Sequence, residues 1–157
     1  MDVAAATVID APRETVVAFV DDPNAQARVT PAITGIADVQ QQPDGGRRML
    51  YGYRVFGLVF TGALETTTYD PPDRVVFEMT GDLDGEIRWT FEAVDGDRTR
   101  FTYAATYDLS QLPFAWLARP FVRWFNRREL RETVETTRRL VESDGERRRA
   151  ELAQPPA

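Results

Sequence analysis

The sequence predicts an α+β domain in which an antiparallel sheet, wet on one face and apolar on the other, is covered by one long helix near the C-terminus. Three observations predict it. Residues 33–109 alternate apolar and polar side chains in short runs separated by Gly, Pro and Asp, the period-two pattern of half-buried strands. The stretch 112–143, LPFAWLARPFVRWFNRRELRETVETTRRLVES, is the one long helical pattern in the chain. From Asn126 it carries Leu130, Thr133, Val134, Thr137, Leu140 and Val141, in steps of three and four that put one face against a partner. Finally, the strand faces sort consistently, and only the helix is long enough to cover the apolar one.

The elements follow in order. Residues 2–9 alternate, with Val3, Ala5, Thr7 and Ile9 on one face. Asp10-Ala11-Pro12 stops this strand and opens a helix over 12–20, with Pro12 at its first position and Val16, Val17, Phe19 and Val20 inward. Asp21-Asp22-Pro23 ends that helix and caps a second over about 23–29, which Thr30-Pro31 closes. Strand 33–42 turns at Asp44-Gly45-Gly46 into strand 47–56. Gly57-Leu58 forms a tight turn or bulge before strand 59–69. The run Asp70-Pro71-Pro72-Asp73 cannot lie inside a strand, so strand 74–80 begins after it. Strands 86–94 and 98–109 complete the meander, with turns at 81–85 and 95–97. Pro120 divides the C-terminal stretch, because it lacks a backbone N–H. A short helical turn is expected at 113–118 and a long helix from about Pro120 to Glu142. The charged tail 144–157 is expected to fray.

Alternation assigns the strand faces. Met49, Tyr51, Tyr53, Val55, Phe60, Leu64, Thr66, Val75, Phe77, Met79, Ile87, Trp89, Phe91, Phe101, Tyr103, Ala105 and Tyr107 share the covered side. Arg48, Arg54, Glu65, Glu78, Glu86, Arg88, Glu92, Arg98, Arg100 and Thr102 share the other, where mixed charges suit a solvated surface. On this assignment no strand places a charge inward.

Composition removes many chemistries. The 157 residues fit one domain. With no cysteine there is no disulfide or thiolate; with no histidine the commonest general base and metal ligand are gone. Every basic residue is arginine, and the net charge of −6 argues against nucleic-acid binding. The lysine-free, acidic balance has two readings, a GC-rich genome or adaptation to a salt-rich cytoplasm. No basic, apolar leader follows Met1 and no run approaches membrane-spanning length, so a cytoplasmic protein is expected. The pairs Asp21/Asp22, Asp82/Asp84 and Asp95/Asp97 lie in turns beside Gly or Pro and read as turn formers. No metal, cofactor or catalytic residue is expected.

The segment IDAPRETVVAFVDDPNAQARVTPAITGI (9–36), followed by YDPPDRVVFEMTG (69–81) and IRWTFEAVDGDRTRFTYAATYDL (87–109), resembles the START-like (SRPBCC) superfamily. That superfamily includes polyketide cyclase/dehydrase-like, lipid-transport and birch-pollen-allergen-like proteins. The resemblance spans roughly 1–142 and implies a single domain over 1–143 with a helix-grip fold. In that fold a curved antiparallel sheet of about seven strands wraps around a long C-terminal helix, two short helices follow strand 1, and a cavity lies between sheet and helix. One departure stands at Val29, where members usually carry an aromatic residue in the short helix that gates the cavity.

The resemblance implies a hydrophobic ligand site, and the residues describe its chemistry. Candidate lining residues are Tyr51, Tyr53, Phe60, Phe77, Trp89, Phe91, Tyr103 and Tyr107 from the strands and Phe121 and Phe125 from the helix. Tyrosine and tryptophan offer apolar bodies with single polar tips, suited to a lipid, isoprenoid, quinone or polyketide-like aromatic. The plainer reading of each tyrosine is a core residue with a satisfied hydroxyl. Binding or carrying a hydrophobic small molecule is the first functional reading. A small cyclase or dehydratase acting on such molecules is the second, and a cavity-free protein–protein module the third. The aromatic and arginine segment 114–128 packs on the sheet, contacts a second copy, or makes peripheral contact with a membrane.

Overall fold

The computed structural model describes residues 1–113 and 115–154 and, within them, every side chain but that of Ala118. The elements are β1 (Asp2–Ile9), α1 (Arg13–Val20), α2 (Pro23–Val29), β2 (Ile33–Gln41), β3 (Arg47–Val55), β4 (Leu58–Asp70), β5 (Arg74–Gly81), β6 (Asp84–Asp95), β7 (Arg98–Asp108) and α3 (Ala115–Ala153). The seven strands form one sheet in the order β1-β7-β6-β5-β4-β3-β2, with every neighbouring pair antiparallel. This is the helix-grip arrangement expected from the sequence.

The core lies between the sheet's apolar face and the helices. Val16, Val17 and Val20 of α1 are buried there with Phe77, Trp89, Phe91 and Phe101 of the central strands. Phe91 stacks on Phe101 at 5.3 Å between ring centroids, and Phe77 meets Trp89 edge-on at 4.7 Å. Aromatic pairs favour these two geometries. Asn126, Leu130, Thr133, Val134, Thr137 and Val141 of α3 are buried and Leu140 is half-buried, so the predicted stripe faces inward.

Three glutamates on that helix tie it down. Glu129 accepts the Ala32 N–H at 2.8 Å, Glu135 accepts the Thr7 hydroxyl at 2.8 Å, and Glu142 accepts the Asp10 N–H at 3.0 Å. The last two partners lie in or just after β1, an edge strand, so α3 covers that edge and blunts unwanted pairing there.

The structure departs from expectation at four places. Pro12 is the cap of α1 rather than its first helical residue, with extended backbone at φ −62° and ψ 156°. Gly57-Leu58 is not the turn. Phe56 and Gly57 form a two-residue connection between β3 and β4, both at positive φ (49° and 81°), as a type I′ turn requires. Third, α3 is not divided. Pro120 lies inside it and forfeits one i→i−4 bond near the N-terminal end. The helix also continues past Glu142 to Ala153, for 39 residues or about 58 Å. The run GERRRAELA holds strong helix formers that offset Gly145. Phe114 of the expected 113–118 turn and residues 155–157 of the expected tail lie outside the described residues. Fourth, β3 does place a charge inward. Arg47 shares its face with Met49 and Tyr51 and is 3% exposed. Its Nη1 meets Asp21 Oδ1 at 2.9 Å, and its guanidinium lies 5.8 Å from the centre of the Phe77 ring. Arg47 Nε and Nη2 are buried without a hydrogen-bond partner among the described residues, so the ion pair and the cation–π contact offset only part of the lost hydration.

Candidate ligand-binding site

Alternation along β3 sends Tyr51, Tyr53 and Val55 to the covered face, and alternation along β7 sends Tyr103 and Tyr107 there. Beneath them, between the sheet and the first turns of α3, lies a pocket of about 320 Å³. Tyr53, Val55, Phe60 and Tyr107 line it from the strands, Leu83, Leu109 and Leu112 from the connections, and Ala115, Val122 and Asn126 from the helix. Phe56 and Leu58, at the β3–β4 turn, border it on the outside. The size falls at the low end of ordinary small-molecule sites, about 300–1,000 Å³, and the mix of many apolar walls with few polar tips is typical of them.

A second, smaller space of about 50 Å³ continues inward from the same Tyr53, Leu83 and Tyr107. Tyr51, Tyr103 and Glu129 reach it, among Met79, Ile87 and Leu130. Tyr51 needs room here. It pairs with Gly62 across β3 and β4, and a Cβ at Gly62 would stand 2.9 Å from the Tyr51 hydroxyl and 2.1 Å from the Thr80 carbonyl. The lining of both spaces is almost wholly apolar, with the four tyrosines and Glu129 among the residues around the inner one.

The inner end brings a carboxylate and four phenols together. Burial raises the Glu129 carboxyl above the ordinary glutamate value; the Ala32 N–H opposes the shift and Glu132 adds to it. Burial pushes Tyr51 up to about 12, with the charges of Asp82 and Asp84 adding to it. Burial likewise pushes Tyr103 up to about 12, opposed by the Trp89 indole and helped by Glu129. Tyr53 and Tyr107 are raised further, first by burial and then by neighbouring phenols and Glu129. All four therefore remain hydroxyls, able to donate or accept a hydrogen bond. The Trp89 indole N–H faces Tyr103 without reaching full hydrogen-bond geometry, and Asn126 Oδ1 is buried without a partner among the described residues. Buried polar atoms ordinarily have one, and Asn126 borders the outer pocket.

The expected lining residues divide into three groups. Tyr53, Phe60 and Tyr107 border the outer pocket, and Tyr51 and Tyr103 join Tyr53 and Tyr107 at the inner space. Phe77, Trp89 and Phe91 are packed in the core and border neither space. Phe121 is 67% exposed, on the outward side of α3, and Phe125 packs on Phe56 at 5.1 Å between centroids. Helical spacing explains the last two: Val122 and Asn126 take the inward positions beside them. Sequence reasoning missed Glu129 and Asn126 as site residues. Glu129 lies three residues after Asn126 and four before Thr133, and that spacing carries it into the inward arc.

With this geometry established, comparison places the protein. The sequence matches the family model described as polyketide cyclase/dehydrase and lipid transport over residues 1–142. The chain belongs to that family. Solved structures agree on the fold. A Thermus thermophilus protein, TTHA0849, superposes with a TM-score of 0.80 at 21% identity, covering 92% of this chain and 99% of its own. The Zhui aromatase/cyclase of a Streptomyces species gives 0.74 at 15% identity, covering 92% and 98%. A START superfamily protein of Mycobacterium smegmatis gives 0.65 at 17% identity, covering 86% and 97%. No curated protein matches the sequence significantly. The family's description spans enzymes and lipid-transport proteins, and the START-like fold alone does not choose between them.

Proposed function

We propose that the protein binds a hydrophobic small molecule with a polar tip in the pocket between the sheet and α3. The observation that carries this reading is the apolar pocket of about 320 Å³ bordered by Tyr53 and Tyr107, which also border the smaller inner space. The apolar body of the ligand lies along Val55, Phe60, Leu112 and Val122. Its tip reaches Tyr53 and Tyr107, where hydroxyls meet a hydroxyl, carbonyl or quinone oxygen. Strongly ionic ligands are disfavoured, because the buried carboxyl already resists ionisation and no cation borders either space among the described residues. Titration with an apolar fluorescent probe tests the reading. Saturable binding competed by an unlabelled quinone or isoprenoid supports it, and no saturable binding contradicts it.

Glu129 favours a second reading, a cyclase or dehydratase. A carboxylate at the inner end is placed to take a proton from a carbon beside a carbonyl, while a tyrosine hydroxyl donates to the oxygen that gains charge. Returning that proton to a departing hydroxide would release water. Glu129→Gln separates the readings: an enzyme loses turnover of a polyketide-like substrate, whereas a carrier keeps its binding.

A further inference from the structure

The pocket mouth sits in an exposed surface whose chemistry differs from that of the rest of the molecule. Trp116, Leu117, Phe121 and Trp124 on the outward side of α3, with Phe56 and Leu58 at the β3–β4 turn, are each between 56% and 71% exposed. Scattered apolar residues are ordinary on a protein surface, but a contiguous aromatic group is not. Contact between Phe56 and Phe125 at 5.1 Å joins the turn to the helix, so the two elements form one surface. Phe56 holds a left-handed backbone at φ 49°, a conformation that costs a bulky residue energy. That cost falls on a ring left largely in solvent.

Charge identifies the partner. Residues 113–128 contain four arginines and no acid, while the remainder of the chain carries 15 arginines against 25 acids. Arg119 and Arg123 line an open cleft with the Met1 amino terminus and Asp2. Arg128 lies over the Trp124 ring at 5.8 Å. Residues three and four apart on a helix are neighbours, so Trp116 adjoins Arg119 and Trp124 adjoins Arg127 and Arg128, and the arginines flank the exposed aromatics. Aromatic rings at headgroup depth with arginines reaching up to phosphate is the arrangement of an interfacial helix. A second copy fits poorly, because a two-fold contact sets the same patch against itself and brings arginines to arginines.

We propose that the outward face of α3 over residues 116–128, with the Phe56-Gly57 turn, docks this protein on a bilayer containing anionic phospholipid. Docking sets the mouth of the apolar pocket against hydrocarbon. The inference does not rest on the ligand reading, since the docking residues lie outside the pocket or at its rim.

Vesicle sedimentation tests it. Protein should pellet with phosphatidylcholine vesicles doped with phosphatidylglycerol at low salt. Binding should weaken by about tenfold or more on pure phosphatidylcholine or in molar salt. Tryptophan emission should shift to the blue on binding. Trp116→Ala with Phe121→Ala should abolish sedimentation on both vesicles, and Arg119→Gln with Arg123→Gln should remove only the preference for the anionic one. All four substitutions lie at exposed positions, and thermal melts confirm that each variant folds. Val122→Trp, which fills the pocket, should pellet like the wild type, so a failed ligand reading and a failed docking reading are told apart. No sedimentation on doped vesicles at low salt overturns the proposal. So does binding that the aromatic double variant leaves intact, or a dimer in solution that buries the patch.

Discussion

From Asn126 onward, α3 buries threonines; before it, the same helix exposes tryptophans. Thr133 and Thr137 are 1% and 0% exposed, whereas Trp116 and Trp124 are 71% and 58%. Hydrophobicity therefore does not rank the positions of this helix by burial. The second half lies against β1 and the sheet core, where Thr133 and Thr137 are buried beside Leu130 and Val134, and the Thr137 hydroxyl donates to the Thr133 carbonyl at 2.8 Å. The first half stands off the sheet by the depth of a pocket, so its inward residues line a cavity and its aromatics face outward. Past Leu130 the helix is a structural element, and before it the helix makes and displays the site, with Asn126 and Glu129 where the two meet.

The sharpest way to break this comparison is in the second half. Leu130→Ala should cost about 2–4 kcal/mol of stability by urea unfolding, as truncation of a buried leucine does; a loss below about 1 kcal/mol would mean that this half is not core. The next effect concerns the pocket wall. Val122→Trp should weaken binding of an apolar fluorophore by about tenfold or more, worth about 1.4 kcal/mol, with little change in the unfolding midpoint. Unchanged affinity would move the ligand out of this pocket.

A subtler difference lies at the inner end. Burial holds the Glu129 carboxyl above the ordinary value of 4.5. Below that value it is protonated in both folded and unfolded chains. As pH rises from there through the elevated folded value, the unfolded chain ionises first, the buried charge must then form, and stability is lost. Glu129→Gln removes this titration but keeps an acceptor for the Ala32 N–H. The stability of wild type relative to the variant should therefore fall as pH rises across that window. A flat difference would place the carboxyl in solvent. The smallest effect belongs to the first half of the helix: Trp124→Ala should shift stability by no more than about 0.5 kcal/mol, and a large loss would put this ring in the core.

Much of this was legible in the sequence, for reasons the same residues make plain. Alternation placed Tyr51, Tyr53, Tyr103 and Tyr107 on the covered face, because a strand's period is two and one slip would expose them all. The stripe from Asn126 to Val141 was legible because its steps match the helical repeat. Arg47 and Glu129 were not assigned to the covered side, although each has the parity or spacing of its buried neighbours. What a charged side chain does depends on a distant partner, Asp21 for Arg47 and the Ala32 N–H for Glu129, and local pattern does not reveal partners. Phe121 was misplaced because residues 116–125 are apolar nearly all round, which leaves the inward side of the helix undetermined. Pro120 was read as a break because its missing N–H forfeits a hydrogen bond past the first turn, yet the helix runs through it.

Native mass spectrometry of the protein purified without detergent tests the central claim most directly. The account predicts a co-purifying or readily exchanged apolar compound bound one to one, retained on the wild type and lost from Val122→Trp. Bare protein that takes up no quinone, isoprenoid, fatty acid or aromatic polyketide, or a compound held equally well by Val122→Trp, would contradict it.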